Sequence, residues 1–181
     1  EKIYNSLKGA KVVAMQEKLI PVYKQLKREG TILVLDTGYS DDMSFEKHKD
    51  LIRIADYYTP NIDETEKLTG TKDYKEALKI LGEYFEKPIV KLGKFGCAGF
   101  DGEYFTIDNI DEFKCIDATG AGDAFLSGFI YGLYNDFDFK KCILAGNITG
   151  GKCVTGIGCL TEYINEKEIV EYLNKYDFLI R

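Results

Sequence analysis

The run Gly120-Ala121-Gly122-Asp123 stands directly before an apolar helical pattern that places Phe125, Leu126, Phe129, Ile130 and Leu133 on one side. The first turn of a helix carries unpaired N–H groups and a partial positive charge, and glycines let an anion come close to the backbone. Such a turn cradles a phosphoryl group. A carboxylate inside it, here Asp123, is kept ionised by the helix dipole and can take a proton from an attacking hydroxyl. On these four residues alone, a tight turn closed by a capping aspartate is the better reading. A second candidate pair is Asn61 and Glu64, whose i, i+3 spacing sets both side chains on one helical face; a plain N-cap with an acidic first turn also fits. A third is Gly93 and Gly96 in the segment Val90-Lys91-Leu92-Gly93-Lys94-Phe95-Gly96-Cys97, which also reads as an ordinary strand-end turn.

The elements that must position these residues follow from periodicity. Strand-like runs at Lys11–Ala14, Thr31–Asp36, Ala55–Thr59 and Pro88–Leu92 alternate with helical spacing at Glu17–Arg28, Phe45–Arg53 and Tyr74–Phe85, the signature of a parallel α/β sheet. Short strands at Cys97–Asp101, Tyr104–Ile107 and Phe113–Ile116 then predict an antiparallel hairpin at a sheet edge, turning at Asp101-Gly102. Helices are expected over Ala121–Tyr134, Phe139–Thr155 and Glu166–Tyr176. No repeat or low-complexity linker interrupts the 181 residues, so one α/β domain over residues 1–181 is expected. In open α/β sheets ligands bind beyond the carboxyl ends of the strands, which is where all three candidates lie.

Composition removes several classes. A net charge of −6, with no block of consecutive Lys or Arg, argues against nucleic-acid and membrane partners, so an anionic ligand must be held locally. The five cysteines are odd in number and never in a CxxC pair, so reduced, mostly packed thiols are expected rather than a disulfide framework or a zinc ribbon. No apolar run reaches the about 20 residues of a membrane span and no signal pattern opens the chain, giving a cytoplasmic reading. Neither a P-loop GxxxxGK[ST] nor a dinucleotide GxGxxG occurs. The single histidine, His48, sits among charges and reads as part of a solvated helix face, leaving a Ser-His-Asp hydrolase without support.

The longer run Asp117-Ala118-Thr119-Gly120-Ala121-Gly122-Asp123-Ala124-Phe125 resembles the C-terminal signature of the ribokinase (PfkB) family of carbohydrate kinases, Asp-x-Thr-Gly-Ala-Gly-Asp-x-Phe, at every fixed position. The resemblance implies a ribokinase-like three-layer α/β/α sandwich with a mostly parallel sheet, and an ATP-dependent phosphotransferase acting on a hydroxyl of a sugar or sugar-like molecule. It implies Asp123 as catalytic base and the N–H groups of Gly120, Ala121 and Gly122 as the anion hole. Asn61 and Glu64 match the family's Asn-x-x-Glu, which organises magnesium and its waters around the phosphates. Lys91, Gly93 and Gly96 fall in the family's segment beside the nucleotide; the family usually has Thr or Ser at the position of Lys91, and a lysine there can reach a phosphate as a point charge. Asn147 stands where family members place an Asn near the adenine, although a mid-helix Asn facing solvent reads equally well. Family members often bind a monovalent cation, so K+ is the further ion the resemblance suggests, held by Asp117, Thr119 and carbonyls of the loop Val154–Thr161.

Family members extend further at the N-terminus, and this chain opens on Glu1. The expectation is therefore the C-terminal, nucleotide-binding and catalytic part of a longer kinase. The part not included would carry most acceptor-binding residues and a β-sheet lid through which a homodimer would form. A nucleoside kinase, or a non-catalytic nucleotide-binding relative, is the alternative; a binding module has no use for a base, and the presence of Asp123 with Gly120, Gly122, Asn61 and Glu64 favours the enzyme.

Overall fold

A computed structural model of the chain describes residues 1–16 and 18–180, which form two compact units. The first unit comprises residues 1–91 and 98–105, the second residues 92–97 and 106–180, and each is described by itself.

The first unit opens with a helix not foreseen in the sequence, α1 (Lys2–Leu7), followed by β1 (Val12–Met15), α2 (Ile20–Arg28), β2 (Ile32–Leu35), α3 (Phe45–Ile52) and β3 (Tyr57–Tyr58). The expected start of α2 at Glu17 lies outside the described residues. The strands pair in the order β1-β2-β3, parallel throughout, with Val12 opposite Ile32 and Leu35 opposite Tyr58. Leu33, Val34 and Leu35 are buried on both faces of β2, as a parallel strand crossed over by helices requires. β3 is shorter than expected, and Asp56 just before it binds Leu33 twice: its backbone N–H donates to Leu33 O, and its carboxylate accepts from Leu33 N at 2.8 Å.

Two helices follow, α4 (Ile62–Thr69) and α5 (Tyr74–Leu81), then β4 (Ile89–Lys91). β4 runs beside Pro60-Asn61: Lys91 N donates to Pro60 O at 2.9 Å and Asn61 bridges Lys91 in the parallel sense. β5 (Cys97–Phe100) and β6 (Tyr104–Ile107) complete a second sheet of order β4-β5-β6. A connection of three residues, Asp101 to Glu103, can only join antiparallel strands, so the hairpin is where the sequence places it.

The second unit is dominated by α6 (Ala121–Tyr134) and α7 (Phe139–Cys153), with α8 (Glu166–Lys175) after them. Glycine sets how closely α6 and α7 approach: a Cβ on Gly128 would lie 2.2 Å from Thr149 Oγ1 and 2.4 Å from Ala145 O. The buried face of α6 is accordingly Phe125, Gly128, Phe129, Gly132 and Leu133, with Leu126 and Ile130 only partly covered. The expected strand at Phe113–Ile116 does not form. Phe113 is buried against Tyr172, Ile116 is exposed, and the N–H groups of Ile116 and Asp117 both donate to Val154 O, so a helix-end carbonyl replaces a strand partner. Among the described residues no helix is long and apolar enough to cross a membrane.

Candidate active site

The turn before α6 is held from both sides by Asp117. Its Oδ1 accepts from Thr119 N at 2.9 Å and Thr119 Oγ1 at 2.7 Å, and its Oδ2 accepts from Gly158 N at 2.8 Å. The Thr119 N–H, then the Thr119 hydroxyl and the Gly158 N–H hold the Asp117 carboxyl below the usual carboxylate range. One side chain thus fixes both the Asp117–Gly120 turn and the loop after α7.

Gly120 caps the helix in the left-handed region at φ 81°, and a Cβ there would sit 2.3 Å from Cys159 Cβ. Only glycine meets both conditions. Beyond it the helix starts open. Gly122 and Asp123 occupy the second and third helical positions, and among the described residues their N–H groups have no internal partner. Ala121 differs, since its N–H donates to Ala118 O at 3.2 Å. The three amides expected to act alike are therefore not equivalent. Asp123 is exposed, and among the described residues its carboxylate enters no ion pair. The turn is neither sealed by side chains nor locked by a cation.

Two further residues in this unit have structural duties. Asn147 is buried rather than facing solvent, and its Nδ2 donates to Ile107 O at 3.0 Å and Asp108 O at 3.3 Å, clamping the end of β6. Gly96 is buried at φ 88°, where a Cβ would lie 2.1 Å from Ile107 O, whereas Gly93 is exposed at φ 60° with open space around it.

In the first unit Asn61 and Glu64 form a reciprocal capping box: Asn61 Oδ1 accepts from Asp63 N (3.0 Å) and Glu64 N (2.9 Å), and Glu64 Oε2 accepts from Asn61 N (2.8 Å). The capping reading of the sequence is thus met in full, but it does not exhaust Glu64. The side chain is only 5% exposed, and burial pushes its carboxyl above the usual range, opposed by the Asn61 hydrogen bond and the Lys91 charge and aided by Asp36. Next to it, Thr65 Oγ1 is buried and has no hydrogen-bond partner among the described residues.

Sequence reasoning missed Asp36, which follows β2. Its carboxylate pairs with Lys91 Nζ at 3.1 Å and accepts from Thr59 Oγ1 at 3.0 Å. Lys91 is therefore a buried, paired lysine. The signal for Asp36 was present: it is an acidic residue at the carboxyl end of a parallel strand. His48 also departs from expectation. It is buried, with Nδ1 3.1 Å from Ser44 O, because it shares the inward face of α3 with Leu51 and Ile52 at i+3 and i+4.

The donor sets can be tested against the ions the family implies. Asn61, Glu64 and Asp36 offer hard oxygen, and Glu64 is a buried carboxylate whose charge is incompletely compensated; both features fit magnesium held largely through water. No group of three or more His, Cys, Asp or Glu side chains converges on a metal position among the described residues. For a monovalent cation the fit is partial, because three hydrogen bonds already occupy most of the about four acceptor positions of Asp117.

A family model described as pfkB family carbohydrate kinase matches residues 8–166, and the chain belongs to that family. Curated relatives include a cytidine kinase from Thermococcus kodakarensis, 30% identical over 138 residues that cover 70% of this chain and 50% of the relative. A ribokinase from Lactococcus lactis is 30% identical, covering 78% of this chain and 46% of the relative. Among solved structures, Arabidopsis thaliana ribokinase complexed with ribose and ATP superposes with a TM-score of 0.83 at 23% identity, covering 96% of this chain and 59% of that one. A Burkholderia thailandensis nucleoside kinase in complex with inosine gives 0.79 at 19%, covering 96% and 59%. The fold is therefore ribokinase-like, and the chain spans about half the length of the curated relatives it matches.

Proposed function

We propose that this chain is the nucleotide-binding and catalytic part of a kinase that moves the γ-phosphoryl of ATP to a hydroxyl of a sugar or sugar-like molecule. The observation that carries the reading is the open start of α6, where unpartnered N–H groups at Gly122 and Asp123 adjoin an exposed, unpaired carboxylate. Phosphoryl transfer depends on positioning and charge stabilisation rather than on covalent chemistry by the protein, and such a turn supplies both.

In this reading the amides of Gly120 and Gly122 hold the transferring phosphoryl, joined by Ala121 once its N–H leaves Ala118 O. Asp123 accepts the proton of the attacking hydroxyl. Asn61 and Glu64 would hold magnesium through water, and the ion would supply positive charge there. Lys91 acts on this carboxylate cluster through its pair with Asp36. Gly93 gives the nucleotide access to backbone, while Gly96 and Asn147 hold the strand end beside it. Asp117 and Thr119 set the geometry of the turn, with K+ as the ion their remaining oxygen positions and the loop carbonyls would take.

A nucleoside acceptor is the second reading, supported by a cytidine kinase and a nucleoside kinase standing among the relatives. The test is ATP consumption by the protein over a panel of sugars and nucleosides in the presence of Mg2+. A sugar preference supports the first reading and a nucleoside preference the second. ATP turnover with no acceptor, or none at all, rejects both.

A further inference from the structure

Two cysteines bracket the first part of the loop that follows α7. Cys153 is the last residue of α7 and is 2% exposed, and Cys159 is exposed six residues on. Cys153 Sγ lies 3.7 Å from the carbonyl oxygen of Cys159 and 3.7 Å from that of Thr119. A Cβ on Gly120 would be 2.3 Å from Cys159 Cβ and 3.6 Å from Cys153 Sγ, which taken end to end holds Cys153 Sγ within about 6 Å of Cys159 Cβ. The two thiols flank the glycine that opens the phosphoryl cradle.

We propose that Cys153 and Cys159 form a reversible disulfide under hydrogen peroxide and that this bond regulates the Asp117–Asp123 turn. The exposed Cys159 sulfur attacks one peroxide oxygen; the O–O bond breaks, the sulfur becomes a sulfenic acid and the first water leaves. Cys153 sulfur then attacks the Cys159 sulfur, the S–OH bond breaks and the second water leaves. Overall two thiols lose two protons and two electrons, and peroxide is reduced to two waters. A dithiol reverses the step by exchange. Paired thiols of this kind, one accessible and one sheltered, suit sensing rather than permanent cross-linking in a reducing compartment.

The consequence for the turn is mechanical. Closing the bond draws Cys159 toward the end of α7 and away from Gly120, and it shifts Gly158, whose N–H is one of the three bonds to Asp117. Oxidation therefore loosens the turn. Its effect on nucleotide rests on the proposed kinase reading, whereas the bond itself does not.

The test oxidises the protein with hydrogen peroxide, maps the cysteines by peptide mass spectrometry and follows amide hydrogen exchange over residues 117–123. The wild type is expected to lose two hydrogens in a cross-linked 153–159 peptide. Exchange in the turn should quicken and return to its starting rate on dithiol treatment. Cys153→Ser should instead leave a trappable sulfenic acid on Cys159, and Cys159→Ser should show neither change, while Cys115→Ser, which removes the other exposed thiol, should behave as wild type. Oxidation confined to Cys115 or to intermolecular dimers, or a 153–159 bond with unchanged exchange, overturns the proposal. ATP affinity is measured separately and is expected to fall about tenfold on oxidation. If the reduced protein binds no ATP, the kinase reading fails while mapping and exchange still decide the disulfide.

Discussion

Two helix starts in this molecule use an acidic residue in opposite ways. At Asn61–Glu64 the cap is closed: both side chains return to the backbone, and Glu64 is buried with its carboxyl raised above the usual range. At Gly120–Asp123 the cap is open: the residue before the helix is a left-handed glycine with no side chain to cap, and Asp123 faces solvent. The closed start satisfies the Asp63 and Glu64 amides and buries the Glu64 carboxyl. The open start leaves amides unsatisfied and a carboxylate free. The open start is the arrangement that leaves room for an anion beside a proton acceptor.

Four substitutions break this contrast, from the largest expected effect to the smallest. Asp123→Asn removes the carboxylate of the open start while keeping its shape, so the phosphoryl-transfer rate should fall by about 10²–10⁴ with ATP affinity retained, as steady-state and binding measurements would show. An unchanged rate would remove Asp123 from the chemistry. Gly120→Ala forces a side chain into a left-handed conformation and against Cys159, and should cost about 1–3 kcal/mol in denaturant unfolding as well as phosphate binding.

Glu64→Gln keeps the hydrogen bond to Asn61 N but removes a buried charge. A carboxyl raised in the folded state favours the protein when protonated, so the wild type loses stability as pH rises from the ordinary Glu range through the folded value. The variant should lack that loss and melt higher at neutral pH, while binding Mg2+–ATP less well. A lower melting temperature at pH 7 would mean that Lys91 already compensates Glu64. Thr65→Val replaces an unpartnered buried hydroxyl with a methyl of the same shape and should be neutral or stabilising by up to about 1 kcal/mol in thermal unfolding.

The lowered carboxyl of Asp117 has the reverse sign to Glu64. Its contribution is present above the ordinary Asp range and is lost as pH falls through the folded value, so amide exchange in the Asp117–Gly120 turn should quicken in acid before the helices respond.

Much of this was legible in the sequence because period and position carry it. The alternation of β-branched runs with 3.6-residue spacing set the parallel strands, and the nine-residue run at Asp117 located the open cap. What was not legible depends on tertiary partners. Phe113–Ile116 has strand-like composition, but Val154 O captures the Ile116 amide. The pairing of Lys91 with Asp36, 55 residues away, has no local sign in the sequence. His48 looks solvated because its neighbours in sequence are charged, whereas its neighbours on the helix face are Leu51 and Ile52. Asn147 shows no local sign of the strand end it clamps. The bond from Ala121 N to Ala118 O is a detail of turn closure that no residue type announces.

The central claim, that the start of α6 is an anion cradle, is tested most directly by titrating 15N-labelled protein with Mg2+–ATP and following backbone amide shifts. The account predicts that Gly122 and Asp123 move most within α6, and that Ala121 follows as it changes partner. Saturable ATP binding that leaves all three amides unmoved would contradict it.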